Sequence, residues 1–137
     1  MTCCDNDLYC AETVLKTVAD NHQIQSPLIP RIATGLCSGM ARSNGPCGAM
    51  TGGILALNLF YGRDTPAQGV ERSYAAVQEL IERFQEAHGN LHCHDLLGCD
   101  LNTAEGQQCY RDQQLNRRCA SFADKTIELV EAIIKTA

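Results

Sequence analysis

The sequence lacks an excess of basic residues and any long hydrophobic run. It has 11 lysines and arginines against 16 aspartates and glutamates in 137 residues, a net charge of −5. A negative chain gains little from the counterion release that holds proteins to phosphate backbones, so nucleic acid is not expected as a partner. The longest apolar stretch covers only residues 49–61, whereas a membrane-spanning helix needs about 20 apolar residues. No membrane insertion is predicted.

Several compact motifs of enzymes and metalloproteins are also missing. Without a C-x-x-C pair, a thioredoxin-type site and a zinc ribbon lose their main support. Without C-x-x-C-H, covalent haem is not expected. Paired-carboxylate, Walker and G-x-S-x-G patterns are absent too. The sequence leaves open whether the protein is an enzyme, and it favours electron transfer or thiol redox chemistry over a hydrolase or transferase.

Cysteine is the residue that this chain has in excess. The nine cysteines stand at positions 3, 4, 10, 37, 47, 93, 99, 109 and 119. Residues 1–7 contain neither the basic nor the apolar region of a secretory signal, so a cytoplasmic location is expected. In that reducing compartment, many cysteines indicate metal binding or redox chemistry more than structural disulfides. Buried cysteines that share no site remain the simplest alternative.

Hydrophobic spacing predicts helices along the whole chain, and no segment has the period-two alternation of a strand. The expected fold is all-α, a single domain over residues 1–137 built as a bundle of about five helices of unequal length. These helices are predicted over residues 7–20, 46–61, 66–87, 104–115 and 118–136, with a shorter helix allowed at 28–37 and a helical turn within 90–102. Tyr61, Tyr74 and Phe84 are assigned to the core rather than to a cofactor site.

Cys47 has the most informative surroundings of the nine cysteines. Pro46 suits the first position of a helix, which places Cys47 in a first turn, where free N–H groups and the helix dipole favour a thiolate. Small residues follow at positions 48, 49, 52 and 53 and leave room for an inorganic cluster or a neighbouring helix. The same pattern also fits a simpler interpretation, in which the glycines only allow close packing and Cys47 is a small apolar side chain.

Two histidines flank another cysteine, because His92 and His94 stand on either side of Cys93. Imidazoles beside a thiol are typical of metal or acid–base sites. Residues two apart do not share a helix face, however, so the three side chains can converge only if this segment is a loop.

The segment Cys47-Gly48-Ala49-Met50-Thr51-Gly52 reads C-G-A-x-x-G and leads into an apolar run that ends Tyr61-Gly62-Arg63. It resembles the motif of the redox-active family called C_GCAxxG_C_C, whose members are about this length. The resemblance covers nearly the whole chain and implies four important cysteines. These are Cys10 in the N-terminal helix, Cys47 in the motif, Cys93 in Cys-His-Asp-Leu-Leu-Gly, and Cys119 before the last helix.

The chain departs from this family pattern by carrying extra cysteines at positions 3, 4, 37, 99 and 109. Cys37 stands where the family pattern has glycine, and either Cys37 or Cys99 could substitute as a ligand or resolving thiol. A related domain occurs in split-Soret cytochromes, which combine haem with an iron–sulfur centre. That analogy makes an iron–sulfur cluster plausible, while the missing C-x-x-C-H gives no place for the covalent haem.

The leading hypothesis is therefore an iron–sulfur cluster that serves electron transfer. Its thiolate ligands would be Cys10, Cys47, Cys93 and Cys119, with Cys47 as the first candidate for a catalytic role. Two alternatives stay open: a thiol–disulfide redox protein with a reactive Cys47 and no cofactor, and a non-redox zinc-binding interaction module. An unidentified redox partner protein is expected, and a homodimer is allowed.

Overall fold

The computed structural model describes residues 7–136, and this part of the chain is helical without any β-strand. Its elements are α1 (Cys10–Asn21), a 3₁₀ helix (Arg31–Leu36), α2 (Cys37–Arg42), α3 (Gly48–Tyr61), α4 (Glu71–His88), α5 (Cys93–Leu97), α6 (Ala104–Asp112) and α7 (Asn116–Thr136). The predicted all-α class is confirmed. The described residues form seven α-helices rather than about five. The helical turn predicted within 90–102 is α5, whereas α2 is too short for hydrophobic periodicity to reveal it.

Helix α3 occupies the centre of the bundle and contacts α1, α4 and α7. Its sequence is apolar on all sides, as expected of a helix surrounded by other helices. Ala56 and Leu57 are fully buried on it. The α1 and α4 helices also pack against α7, so the four longest helices enclose one part of the core.

Each outer helix turns one apolar stripe toward α3. On α1 the stripe includes Val14, Leu15 and Val18, all fully buried as the spacing predicts. The Tyr9 N–H before α1 donates to Glu12 Oε1 at 3.1 Å, which caps the helix start. On α7 the buried face carries Phe122, Ala123, Thr126, Leu129, Val130 and Ile133.

The assignment of three aromatic residues to the core is correct for Phe84, partly correct for Tyr61, which packs against the edge of the core, and wrong for Tyr74. Phe84 is fully buried, but Tyr74 is 60% exposed and Tyr61 is half-buried beneath the Arg72 guanidinium, 5.0 Å from its ring centre. The buried stripe of α4 passes through Ala76, Leu80 and Phe84. Tyr74 lies outside that stripe. It is six residues from Leu80, and residues six apart on a helix face different sides.

The core has two parts that meet around α1 and α3. One part is built from aliphatic side chains such as Leu15, Leu57 and Leu80. The other contains most of the cysteines together with Phe84 and Phe122. No helix in residues 7–136 is long and apolar enough to cross a membrane.

Candidate functional site

The four cysteines singled out from the sequence line one cavity of about 100 Å³. We refer to Cys10, Cys47, Cys93 and Cys119 as the cavity cysteines. Each is at most 9% exposed. The rest of the lining is Tyr9, Ser38, Arg42, Gly48, Leu96, Leu97, Leu101, Gln107, Tyr110, Arg111 and Phe122. Residues that are up to 109 positions apart in the sequence thus contribute thiols to one cavity.

Every cavity cysteine stands at or near the N-terminal end of a helix. Cys10 is the first residue of α1, Cys47 caps α3, and Cys93 is the first residue of α5. Cys119 is the fourth residue of α7. The starts of long helices carry free N–H groups and the positive end of the helix dipole. The cavity therefore lies where the starts of α1, α3 and α7 come together.

The glycines of the C-G-A-x-x-G motif bring α1 onto α3. A Cβ atom at Gly52 would lie 2.6 Å from the Ala11 carbonyl oxygen, and one at Gly48 would lie 3.1 Å from the Leu36 carbonyl oxygen. Backbone therefore packs directly on backbone, which holds Cys10 beside Cys47. The glycines therefore allow close helix packing, as the simpler interpretation of the motif predicts. The same packing also forms the cavity.

A short backbone pairing holds Cys47 and Cys93 in place. Pro46 and His92 form an isolated antiparallel bridge. The Cys47 N–H donates to the Leu91 carbonyl at 2.6 Å, and the Cys93 N–H donates to the Gly45 carbonyl at 3.0 Å. These two hydrogen bonds join the segments that lead into α3 and α5.

The short helix α2 is wound as a left-handed turn, unlike the other helices, and it packs against the same site. Ser38, Gly39, Met40 and Ala41 all have φ between 57° and 68°, a region that costs non-glycine residues about 1–2 kcal/mol each. A Cβ atom at Gly39 would lie 2.7 Å from the Cys93 Cβ, so only glycine fits there. The turn places Ser38 and Arg42 in the cavity lining, and such strain is typical of functional sites.

Cys119 is fixed by contacts from two other elements. The Cys10 thiol donates to the Cys119 carbonyl oxygen at 3.8 Å. The Tyr110 hydroxyl of α6 donates to the Cys119 Sγ atom at 3.6 Å. A hydroxyl that donates to sulfur favours the negative charge of a thiolate.

Charge inside the cavity is governed by the close approach of the thiols. Burial, followed by the neighbouring thiols of Cys119, Cys47 and Cys99, raises the pKa of Cys93 to about 12. Without a bound cation Cys93 is therefore protonated at neutral pH. Arg42 and Arg111 also line the cavity, and each contributes a guanidinium group to its wall.

The other candidate residues lie outside the cavity lining. Cys37 is buried against the aliphatic part of the core, where its thiol donates to the Ala33 carbonyl at 3.6 Å. Cys99 is buried near Cys93, and Cys109 is half-buried on α6. His92 and His94 are exposed. Cys3 and Cys4 lie outside the described residues.

Within residues 7–136, no three histidine, cysteine or acidic side chains are close enough together to hold a single metal ion. The cavity cysteines are therefore spaced more widely than the ligands of a single metal ion.

Sequence reasoning missed Arg42, Tyr110 and Arg111 as members of the site. The glycines at positions 35, 39 and 45 are a sequence signal for an unusual backbone around Arg42. Tyr110 and Arg111 belong to a helix whose sequence contains no motif. Only the docking of α6 onto the cavity places them there.

Comparison with protein-family models gives one match, over residues 8–133, to the family described as "Putative redox-active protein (C_GCAxxG_C_C)". Searches of curated proteins and of solved structures gave no match. The matched region includes all four cavity cysteines.

Proposed function

The chain belongs to the C_GCAxxG_C_C family of redox-active proteins, and from that membership we propose that the cavity cysteines hold an iron–sulfur cluster that transfers electrons. The observation that carries the proposal is the shared cavity, which is lined by one cysteine from each of α1, α5 and α7 and by Cys47 directly before α3. A redox partner protein would supply or accept the electron.

The donor set suits an iron–sulfur cluster. Cysteine thiolates are the usual ligands of such clusters, four to each. A water molecule needs about 10–15 Å³ of comparable space, so a cavity of about 100 Å³ admits a group of several atoms. A zinc ion would instead require all four sulfur atoms about 2.3 Å from one centre, and the thiols would have to move inward to reach it.

The charge of the surroundings supports an anionic group. A cluster bound by four thiolates adds negative charge to a buried place, which costs free energy unless positive groups compensate it. The N-terminal ends of α1, α3 and α7 each favour an anion by about 0.3–1 kcal/mol. Arg42 and Arg111 in the lining add two full positive charges.

The protein's contribution to electron transfer would be to set the reduction potential and exclude water. Leu96, Leu97, Leu101 and Phe122 supply an apolar wall, and solvent exclusion is one of the factors that tune cluster potentials. The Tyr110 hydroxyl donates to the Cys119 sulfur, and hydrogen bonds to ligand sulfur atoms are another such factor. A bound cluster would itself supply the one-electron chemistry.

The test is an absorption spectrum with iron, zinc and acid-labile sulfide analysis on protein purified without oxygen. We expect coloured protein with stoichiometric iron and sulfide. Cys47→Ser should abolish both, because it removes a ligand. Cys109→Ser should retain both, because Cys109 does not line the cavity. Equal loss in the two variants would overturn the ligand assignment.

Two other results would each favour an alternative function. Colourless, metal-free protein in which iodoacetamide labels Cys47 rapidly near neutral pH would favour thiol–disulfide chemistry at Cys47, since an ordinary buried thiol labels slowly. Zinc without iron would favour a structural or binding module.

A further inference from the structure

Two cysteines outside the cavity lie side by side across the connection between α5 and α6. Cys99 follows α5, and the next residue, Asp100, is bound to the start of α6. Its carbonyl oxygen accepts hydrogen bonds from the Thr103 N–H at 3.1 Å and from the Thr103 hydroxyl at 2.9 Å. A Cβ atom at Gly106 would overlap that same carbonyl oxygen. The backbone after Cys99 therefore rests directly on the face of α6 that contains Gly106.

Cys109 lies on this same face of α6, because residues three apart in a helix are neighbours on its surface. Both cysteines also belong to the thiol-rich part of the core. Burial, followed by the neighbouring Cys109 thiol, raises the pKa of Cys99 to about 11, while Arg118 opposes the rise. Because Cys99 leads into this backbone contact and Cys109 lies on the same face of α6, side-chain rotation can bring their sulfur atoms to the S–S distance of about 2.05 Å.

The two thiols differ in access to solvent. Cys109 is half-buried, whereas Cys99 is only 4% exposed. A reagent from solution therefore meets Cys109 first, with Cys99 behind it. This arrangement of an outer and an inner thiol is that of an attacking and a resolving cysteine.

We propose that Cys99 and Cys109 form a second redox site, a dithiol that closes into an intramolecular disulfide by exchange with a low-molecular-weight disulfide. The Cys109 thiolate attacks one sulfur atom of the reagent RSSR, forms a mixed disulfide and releases one RSH. Cys99 then attacks the Cys109 sulfur, forms the S–S bond and releases the second RSH. In total, two protein thiols are oxidised and one RSSR is reduced to two RSH.

This site does not require the cluster. Neither Cys99 nor Cys109 lines the cavity, so the disulfide can form whether or not the cavity cysteines hold iron. Cys99 is nevertheless near Cys93, whose pKa it helps to raise. Oxidation of the pair would thus take place next to a cavity cysteine.

The test uses the full chain, purified without oxygen and equilibrated with mixtures of reduced and oxidised glutathione. Free thiols are blocked with N-ethylmaleimide, and the protein is cleaved before aspartate. Cleavage before Asp95 and Asp100 puts Cys99 in peptide 95–99, Cys109 in peptide 100–111 and Cys93 in peptide 64–94. We expect peptides 95–99 and 100–111 to be joined by one disulfide as the oxidised fraction of glutathione increases.

Single substitutions test the order of attack. Cys99→Ser should leave glutathione attached to Cys109, because the resolving thiol is gone. Cys109→Ser should give neither the disulfide nor bound glutathione at Cys99. The matched control is Cys37→Ser, which removes a buried thiol from the aliphatic part of the core and should retain the disulfide.

Two results would overturn the proposal: peptides 95–99 and 100–111 that stay separately blocked at every glutathione ratio, or a disulfide that joins either of them to peptide 64–94. Failure of the cluster proposal would be distinguishable from these results. Cys47→Ser should lose iron yet form the Cys99–Cys109 disulfide, while Cys109→Ser should lose the disulfide yet retain iron.

Discussion

At the scale of single residues, the acidity of a thiol in this protein depends on what surrounds it. Cys93 is buried and has three other thiols among its neighbours, and its pKa is about 12 instead of the ordinary 9.0. The thiolate is disfavoured because it would be poorly solvated and would face further sulfur atoms that can ionise. A bound cation reverses this balance, since it needs the thiolate form.

We expect the cluster-free protein to lose stability as the pH rises from about 9 toward 12. In this window the unfolded chain releases the Cys93 proton and the folded chain keeps it, so folding stability falls by up to about 1.4 kcal/mol per pH unit for this thiol. Below pH 9 both states are protonated and the contribution is constant.

Denaturant unfolding of the wild-type protein and of Cys93→Ala over this pH range measures the effect. The free energy of unfolding should fall less steeply with pH in the variant than in the wild type. Below about pH 8 the difference in this free energy between the two proteins should stay constant. Parallel declines up to high pH would show that Cys93 keeps an ordinary pKa.

At the scale of helices, the contact between α1 and α3 decides where two of the four thiols stand. Gly52 has no side chain, and the backbone of Ala11 fills the space that a Cβ atom would take. The motif therefore allows α1 and α3 to pack closely. This packing brings Cys10 and Cys47 to the same cavity.

We expect Gly52→Ala to lower the free energy of unfolding by about 1–3 kcal/mol, the usual cost of overpacking. Alanine normally stabilises a helix interior relative to glycine by about 1 kcal/mol. At position 52 the clash is with backbone atoms of α1, which cannot rotate away, so the net effect is a loss. Urea unfolding measures it.

The matched control is Gly35→Ala in the 3₁₀ helix, where a Cβ atom would have no neighbour within 4 Å. This change should be neutral or slightly stabilising. A Gly52→Ala protein as stable as the wild type would mean that α1 and α3 are less closely packed than the structure has them.

At the scale of the whole molecule, the cavity is where separate parts of the bundle meet. Its cysteines lie in α1, α5 and α7 and directly before α3, and α5 is a short helix that belongs to the thiol-rich part of the core. A group bound by all four thiols would cross-link these elements. Ligand binding to the folded state stabilises it against unfolding.

On the basis of the proposed cluster, we expect iron chelation under anaerobic conditions to lower the melting temperature by on the order of 10 °C, which corresponds to a few kcal/mol for a chain of this size. Calorimetry before and after chelation measures the shift. Cys109→Ser should show the same shift, and Cys119→Ser, which lacks a ligand, should show almost none. A chelator without effect on the wild-type protein would contradict a cluster that links the helices.

The sequence by itself determined the helical class and the four cysteines worth examining. Helix formation follows from local spacing, and Leu15 or Phe84 is buried where the period predicts it. Local spacing does not reveal α2, where too few residues define a period. It also does not predict the exposure of Tyr74, which depends on which stripe of α4 meets α3.

Only the tertiary structure decided that these cysteines share a cavity and that Cys37 does not. Which thiols meet depends on how whole helices dock, and here docking depends on glycines that let backbones touch and on a left-handed turn against Cys93. Such contacts join residues far apart in the sequence, so they follow from the shape of the assembled bundle rather than from any local pattern. Arg42 and Arg111 line the same cavity for the same reason, because the docking of their elements brings them there.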